Sequence, residues 1–414
     1  MKKYIILSAF ALEKEQVASS RIYGLTKSLK KLGNEIVLCS PNVNVENVFV
    51  YDFIDKFLCL PIKENPFLEK IRKIYNKNKI FEVDNNEIHN FSLHKNVHSL
   101  IHNNILWYDH FYSPASKQYL RVKYSNRLLK KIALELTGFN TILLTSSGPS
   151  IMNYFGYKIK KKNPNIFWVA DYRDLNQNNP GRVDQFNFRL KKMDKLAFKY
   201  ADLITTVSYG TKEQNIENAK KMGYDIRDRT YVLYNGFSLE NNSLELSSKE
   251  ELKSLFVDKD KIYIVYTGSI YPLQKIEYFL KVLTDSQQLK FIYAGNSHQL
   301  IDVSVQKFNL EDKVINLGFV KKEEAEYLQK KADILLLLKL IDGNKDKGMM
   351  TGKFYEYLTK NKKIMVIGDQ DEEFNEICKN LKNVDILPYD KDKITEYLNN
   401  LKKEDLKENY DPNI

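Results

Sequence analysis

Two short segments of the chain carry residue types suited to an anionic, hydroxyl-bearing ligand. Thr267-Gly268-Ser269 follows an apolar run, and a glycine there lets backbone approach a ligand closely. Further on, Thr351-Gly352-Lys353 opens a segment with helical spacing, and Glu356 lies one turn later. A cation beside a glycine at a helix start suits a diphosphate, and the carboxylate can accept from ribose hydroxyls. Arg21, near the start of an amphipathic segment, is a further cation able to meet a phosphate. The dinucleotide fingerprint GxGxxG and the phosphate loop GxxxxGK[ST] are both absent, which argues against a dehydrogenase and an ATPase. Metal chemistry has little to work with. His94, His98 and His102 share a helical face, but no carboxylate or cysteine joins them at ligand spacing. Asp-x-Asp triplets begin at Asp258, Asp369 and Asp390, and in a chain this charged such triplets read as solvated turns.

These segments need elements to position them. Apolar runs suited to buried parallel strands occur at 141–144, 166–170 and 203–207, each followed by helical spacing. The pattern resumes at 262–266, 291–294, 314–317, 334–338 and 364–367. At the start, Tyr4 to Leu12 has the length of a signal-peptide core. It runs instead into Glu13-Lys14-Glu15, an amphipathic stretch from Val17 to Leu32, Gly33, and a second apolar run from Glu35 to Cys39, which is strand, helix, stop, strand. The fold class expected is α/β, with two Rossmann-like domains whose parallel sheets face across a cleft. The expected boundaries are a first domain over 1–239 with an irregular insertion at about 42–135, a linker over 240–261, a second domain over 262–394, and a last segment over 395–414 that crosses back to the first.

With 414 residues, 43% hydrophobic and 28% charged, the chain is long enough for two cores and has a globular composition. Its longest aliphatic run, Ile334 to Leu338, is far too short to span a bilayer. Three cysteines without a CxxC pair point to a reducing, cytoplasmic setting. The net charge of +11 is unevenly spread: residues 1–235 hold 37 Lys and Arg against 22 Asp and Glu, and the remainder 27 against 31. The first part is therefore expected to face something anionic, such as the inner face of a cell membrane. Basic patches interleaved with apolar residues, at 70–79 and 121–131, are candidates for that contact.

Nine segments, in order, resemble the GT-B glycosyltransferases, in particular the bacterial members of glycosyltransferase family 4. They are Ser146-Ser147-Gly148-Pro149-Ser150, Trp168 to Asp174, Ala201 to Ser208, Leu233 to Phe237, Tyr266 to Ser269, Tyr293-Ala294-Gly295, Leu317 to Val320, Ala332-Asp333-Ile334 and Gly352 to Leu358. The resemblance implies an acceptor-binding first domain, a nucleotide-sugar-binding second domain, and a retaining transfer with no obligatory metal and no cofactor beyond the nucleotide-sugar donor. It implies that Glu356 holds the ribose, that Gly318 and Phe319 lie by the base, and that Lys275 or Lys353 neutralises the diphosphate. Gly268, Ser269, Thr351 and Gly352 complete the donor side. Asp171, Arg173 and Asp174 become the catalytic candidates, with Arg21, Ser147, Gly148 and Asn235 on the acceptor side. With the charge split, this points to a lipid-linked or surface-polysaccharide acceptor.

The chain departs from the family pattern in places. Eight positions before Glu356 stands Gly348 and not an acid, Ser269 replaces the family's arginine, and the early glycine pair is missing from Gln16 to Arg21. A nucleotide-sugar epimerase shares the two-domain plan and would turn over without an acceptor. A transferase of the metal-dependent GT-A type would use Asp369-Gln370-Asp371. A basic nucleic-acid binder is the non-enzymatic alternative, whose affinity should fall steeply with salt; no recognition motif for it is visible.

Overall fold

The computed structural model describes residues 1–9, 17–41, 51–60, 132, 134–136, 140–147, 150–177, 187–236, 250–271, 274–340, 351–368, 371–404 and 406. The chain divides into two compact units, one comprising Met1–Thr206 with Lys212–Val232, the other Val207–Thr211 with Leu233–Ile414.

The first unit contains strands β1 (Lys3–Leu7), β2 (Glu35–Pro41), β3 (Lys56–Leu60), β4 (Thr141–Ser147), β5 (Phe167–Tyr172), β6 (Leu203–Thr206) and β7 (Thr230–Val232). They form one parallel sheet in the order β3-β2-β1-β4-β5-β6-β7. Helices α1 (Val17–Lys31), α2 (Ile151–Lys162), α3 (Asn187–Tyr200) and α4 (Tyr209–Lys221) make the connections described. Strand residues point alternately to two cores. Ile5, Leu7, Val37, Leu143 and Trp168 pack on one face, and Ile6, Ile36, Leu38 and Leu144 on the other.

The second unit repeats the plan with β8 (Ile262–Thr267), β9 (Leu289–Ala294), β10 (Val314–Asn316), β11 (Ile334–Leu338), β12 (Lys363–Ile367) and β13 (Val384–Leu387), ordered β10-β9-β8-β11-β12-β13. Its helices are α5 (Ile276–Leu283), α6 (His298–Phe308), α7 (Lys322–Lys331), α8 (Gly352–Leu358), α9 (Glu372–Cys378) and α10 (Lys391–Asn400). Every residue of β8 and of β11 is buried, the consequence of helices on both faces of the sheet. Along α5 the buried residues Ile276, Phe279, Leu280 and Leu283 fall on one stripe at helical spacing.

A shared device starts the inner strands of both units. Asp202 accepts from the Trp168 amide at 2.7 Å and Asp333 from the Tyr263 amide at 2.8 Å, while each aspartate's own N–H goes to the same neighbour's carbonyl. The two Ala-Asp pairs, Ala201-Asp202 and Ala332-Asp333, are therefore structural caps of parallel strands.

Several expected boundaries need correction. The 42–135 stretch contains a regular strand, β3, which pairs with β2 and was hidden by its charged start and half-exposed edge position. Most of that stretch, with the histidine series and both basic patches, lies outside the described residues. β7 and β13 were missed for the same edge-strand reason. Part of the expected linker folds as helical turns at Glu250–Lys253 and Ser254–Phe256, and Leu252, Leu255 and Phe256 join the second unit's core. The described part of the final segment, 395–404 and 406, packs on that unit as well: Leu398 and Leu406 join Ile394 in its other core, and the rest of the segment lies outside the described residues.

Candidate active site

In open parallel sheets, ligand sites form beyond the carboxyl ends of the strands where the strand order reverses. In the second unit that point lies between β8 and β11, and Gly268 stands directly beyond β8. Its φ of +112° suits glycine, and a Cβ would run into the Lys353 side chain, with Nζ only 2.7 Å away. Gly295 follows β9 under a similar constraint, since a Cβ there would sit 2.6 Å from the Gly268 carbonyl carbon. Gly318 follows β10 and accepts the Gly295 amide at 2.7 Å. Three consecutive strands thus end in glycines, each lying close to the next.

Lys353 comes from α8 and reaches back over this floor. Its ammonium donates to Tyr266 Oη at 3.1 Å and to the Ser269 carbonyl at 3.2 Å, and stands 4.7 Å from the Tyr266 ring centroid. Burial lowers its pKa to about 8, with only the Glu356 carboxylate pulling the other way. Glu356, half-buried one turn along α8, accepts at Oε1 from Gln329 Nε2 at 3.0 Å. Gln329 also donates to Thr267 Oγ1 at 2.8 Å, and the Thr267 amide donates to Tyr357 Oη at 3.1 Å. The carboxylate, the ammonium and the end of β8 are therefore tied through buried polar groups.

The remaining donor-side residues are spread around this centre. Ser269 contributes its carbonyl, not its hydroxyl, to Lys353. Thr351 precedes α8 with its hydroxyl buried and without a hydrogen-bond partner among the described residues, and Gly352 is half-buried beside it. Phe319 is 67% exposed. Lys275 immediately precedes α5, and among the described residues its ammonium has no hydrogen-bond or ion-pair partner, so it does not join the Lys353 group. Gln274 beside it is buried, donating to the Leu338 carbonyl at 2.6 Å and accepting the Tyr271 amide at 2.9 Å. Ser297 bonds to both backbone groups of Ile270, at 2.9 and 3.1 Å. Together they hold the loop after β8 against the ends of β9 and β11.

In the first unit the sheet register brings Asp171 between Ser146 and Thr205. Asp171 is fully buried. It accepts from Arg21 Nη2 at 2.7 Å, Arg21 Nε at 3.2 Å, Thr205 Oγ1 at 2.8 Å and Ser146 Oγ at 3.5 Å. Burial alone would push its pKa up, but Arg21, Thr205 and Arg173 hold it below the ordinary carboxylate value. That surrounding corrects the expectation for two residues. Asp171 is an anchor for Arg21 and not an accessible acid or base, and Arg21 is committed to that pair rather than presented to a phosphate. Arg173 is half-buried and donates to the Ser147 carbonyl at 3.3 Å, while Asp174 is exposed.

The loop that carries them is fixed from below by buried Asp194 on α3. Asp194 accepts from Tyr172 Oη at 3.0 Å, Asn176 Nδ2 at 2.6 Å and Gln177 Nε2 at 2.7 Å. Buried Ser147 donates to Asn176 at 3.3 Å. Gly148 lies outside the described residues, and Asn235, expected on the acceptor side, falls in the second unit. Of the Asp-x-Asp triplets, Asp371 caps α9 and pairs with Lys339 at 2.9 Å, Asp390 caps α10, and Asp258 closes a turn onto the Asp260 amide. Gln329, Gln274 and Asp194 were missed by sequence reasoning because a single buried amide or carboxylate leaves no local pattern.

No family model and no curated protein matches this chain. Solved structures do. HepE from Anabaena, in complex with UDP and glucose, is 12% identical, with 96% of this chain and 89% of that one covered and a TM-score of 0.55. Sucrose-phosphate synthase from Thermosynechococcus elongatus is 11% identical over 96% and 89%, with a TM-score of 0.56. The α,α-trehalose 6-phosphate synthase from Burkholderia multivorans is 8% identical over 97% and 92%, with a TM-score of 0.58. At these identities the likeness is one of fold, and that fold is the GT-B arrangement of two parallel α/β units, matched over nearly the whole chain.

Proposed function

We propose that the chain is a glycosyltransferase that takes its sugar from a nucleoside-diphosphate donor held in the second unit. The observation that carries this reading is the placement of Lys353 and Glu356 around Gly268, a cation and a carboxylate one helical turn apart at the strand-order reversal. HepE, of the same fold, has been captured with UDP and glucose and with UDP-glucose, which supports a uridine nucleotide as the first donor to test.

In this reading the bond from the anomeric carbon to the diphosphate oxygen breaks with its electron pair going to the leaving nucleotide. Lys353 meets the charge that develops there. Glu356 accepts from the ribose, and the backbone at Gly318 and Phe319 borders the base. The acceptor hydroxyl forms the new bond with retention of configuration and releases its proton to the departing diphosphate oxygen, and Arg173 and Asp174 in the first unit are the residues assigned to that step.

We assign the acceptor to a lipid-linked or surface glycan on chemical grounds. On α2 and α3, Tyr157 lies 6.3 Å from Tyr154 and 5.0 Å from Tyr200, with Lys158 5.3 Å over Tyr154 and Lys199 5.1 Å over Tyr200. Tyrosines interleaved with lysines suit an anionic lipid interface. No helix among the described residues is long and apolar enough to cross a membrane.

Calorimetry with UDP tests the donor site. Glu356→Ala should weaken binding by about tenfold or more, equivalent to ~1.5–3 kcal/mol for a hydrogen bond to a charged group, with the fold intact. Arg173→Ala should keep UDP binding and lose transfer. Unchanged UDP affinity in Glu356→Ala counts against the site, and turnover of UDP-sugar into its epimer without any acceptor would replace the transferase reading.

A further inference from the structure

Gln329 lies on α7, outside every motif of the sequence, and is 1% exposed. Its Nε2 spends both hydrogens on acceptors, Thr267 Oγ1 at 2.8 Å and Glu356 Oε1 at 3.0 Å, while its Oε1 is buried with no partner among the described residues. Such an arrangement is unusual, because a buried amide normally satisfies its carbonyl as well. Turning the amide over would set Gln329 Oε1 against Glu356 Oε1, two acceptors facing each other. The observed orientation leaves one acceptor unmet and secures the donor to the carboxylate.

We propose that Gln329 is the positioning residue of the nucleotide site. It holds the Glu356 carboxylate by one oxygen so that the other, Oε2, which no donor among the described residues reaches, is presented to a sugar hydroxyl of the nucleotide. The choice of an amide has a physical logic. A lysine or arginine in its place would neutralise the carboxylate and compete with the ligand, whereas a neutral donor fixes the rotamer and leaves the negative charge as an acceptor. Thr267 locks the amide in turn, and through Tyr357 the same contact joins the end of β8 to α8. This inference rests on the nucleotide reading of the site and adds to it a residue that touches no ligand.

Gln329→Met keeps the side-chain length and removes the donor. Against wild type, it should raise the dissociation constant for UDP about tenfold, the usual worth of a lost hydrogen bond to a charged group. It should also narrow the preference for UDP over 2′-deoxyuridine diphosphate. In an Glu356→Ala background the same change should alter UDP affinity less than about twofold, because coupled residues are not additive. A full tenfold loss in that background would overturn the proposal, since Gln329 would then act without Glu356. A crystal structure of unliganded Gln329→Met supplies an arm independent of nucleotide: displacement of the Glu356 carboxylate supports the proposal, and an unmoved carboxylate refutes it. Failure of wild type to bind any nucleoside diphosphate removes the nucleotide reading itself, and the inference with it, and is told apart from the other outcomes because it precedes them.

Discussion

Lys353 is where burial and chemistry meet most directly. A lysine whose pKa is lowered to about 8 is already partly neutral in mild alkali, and a bound diphosphate favours its charged form. UDP affinity should therefore be level below pH 8 and fall by up to about tenfold per pH unit above it, with Lys353→Met weak and pH-independent. Folding stability should run the other way. Between about 8 and the ordinary value of 10.5 the unfolded chain binds the extra proton, so this residue's contribution to stability rises with pH. Calorimetric titrations and urea melts at matched pH would separate the two slopes, and affinity that stays flat to pH 9.5 would remove Lys353 from the diphosphate. Asp171 presents the contrasting case. With its carboxylate engaged by Arg21, Asp171→Asn should destabilise by roughly 3–5 kcal/mol, because the guanidinium is left buried and uncompensated. Its depressed pKa means that this contribution is present above pH ~4 and lost as pH falls through the folded-state value, so the gap between wild type and variant in urea melts should close in acid.

At the level of elements, the donor site depends on how closely three strand ends approach. The contact of Gly295 with the Gly268 backbone admits no side chain, and unlike Lys353 that backbone cannot swing away. Gly295→Ala should therefore push the loop after β8 outward, costing about 1–3 kcal/mol of stability and lowering UDP affinity together. A variant that melts and binds like wild type would mean the loop has slack. The same loop is held to the end of β11 through Gln274 and to the turn after β9 through Ser297, so its position belongs to the sheet as a whole. Helix ends in both units are closed by long cations in a related way: Lys313 donates to the Leu283 and Thr284 carbonyls at 2.9 and 3.0 Å, and Arg229 to those of Phe198 and Ala201. Two of the chain's many basic residues are thereby spent on architecture, not on partners.

For the whole molecule, the charge split and the tyrosine-lysine face of α2 and α3 make a joint prediction. The protein should sediment with vesicles containing anionic lipid and be released by salt, and replacing Lys158 and Lys199 by glutamate should weaken binding by about 1 kcal/mol or more per residue. Equal binding to neutral vesicles would point away from an electrostatic contact. What the sequence by itself determined is the layered α/β plan, the nine inner strands of the two described sheets and one edge strand, β10. Buried parallel strands are written as uninterrupted apolar runs, and 334–338 and 364–367 read correctly for that reason. It also marked Gly268, Lys353 and Glu356, because a glycine after a strand and charges one turn apart are local patterns. Tertiary structure decided the rest. Edge strands such as β3, β7 and β13 are short and half-exposed, so pairing and not composition defines them. Whether a charge is a reagent or an anchor depends on partners far along the chain: Arg21 and Asp171 stand 150 residues apart, and Gln329 meets Glu356 across 27. Folding brings those groups within hydrogen-bond distance, and no window of sequence contains both.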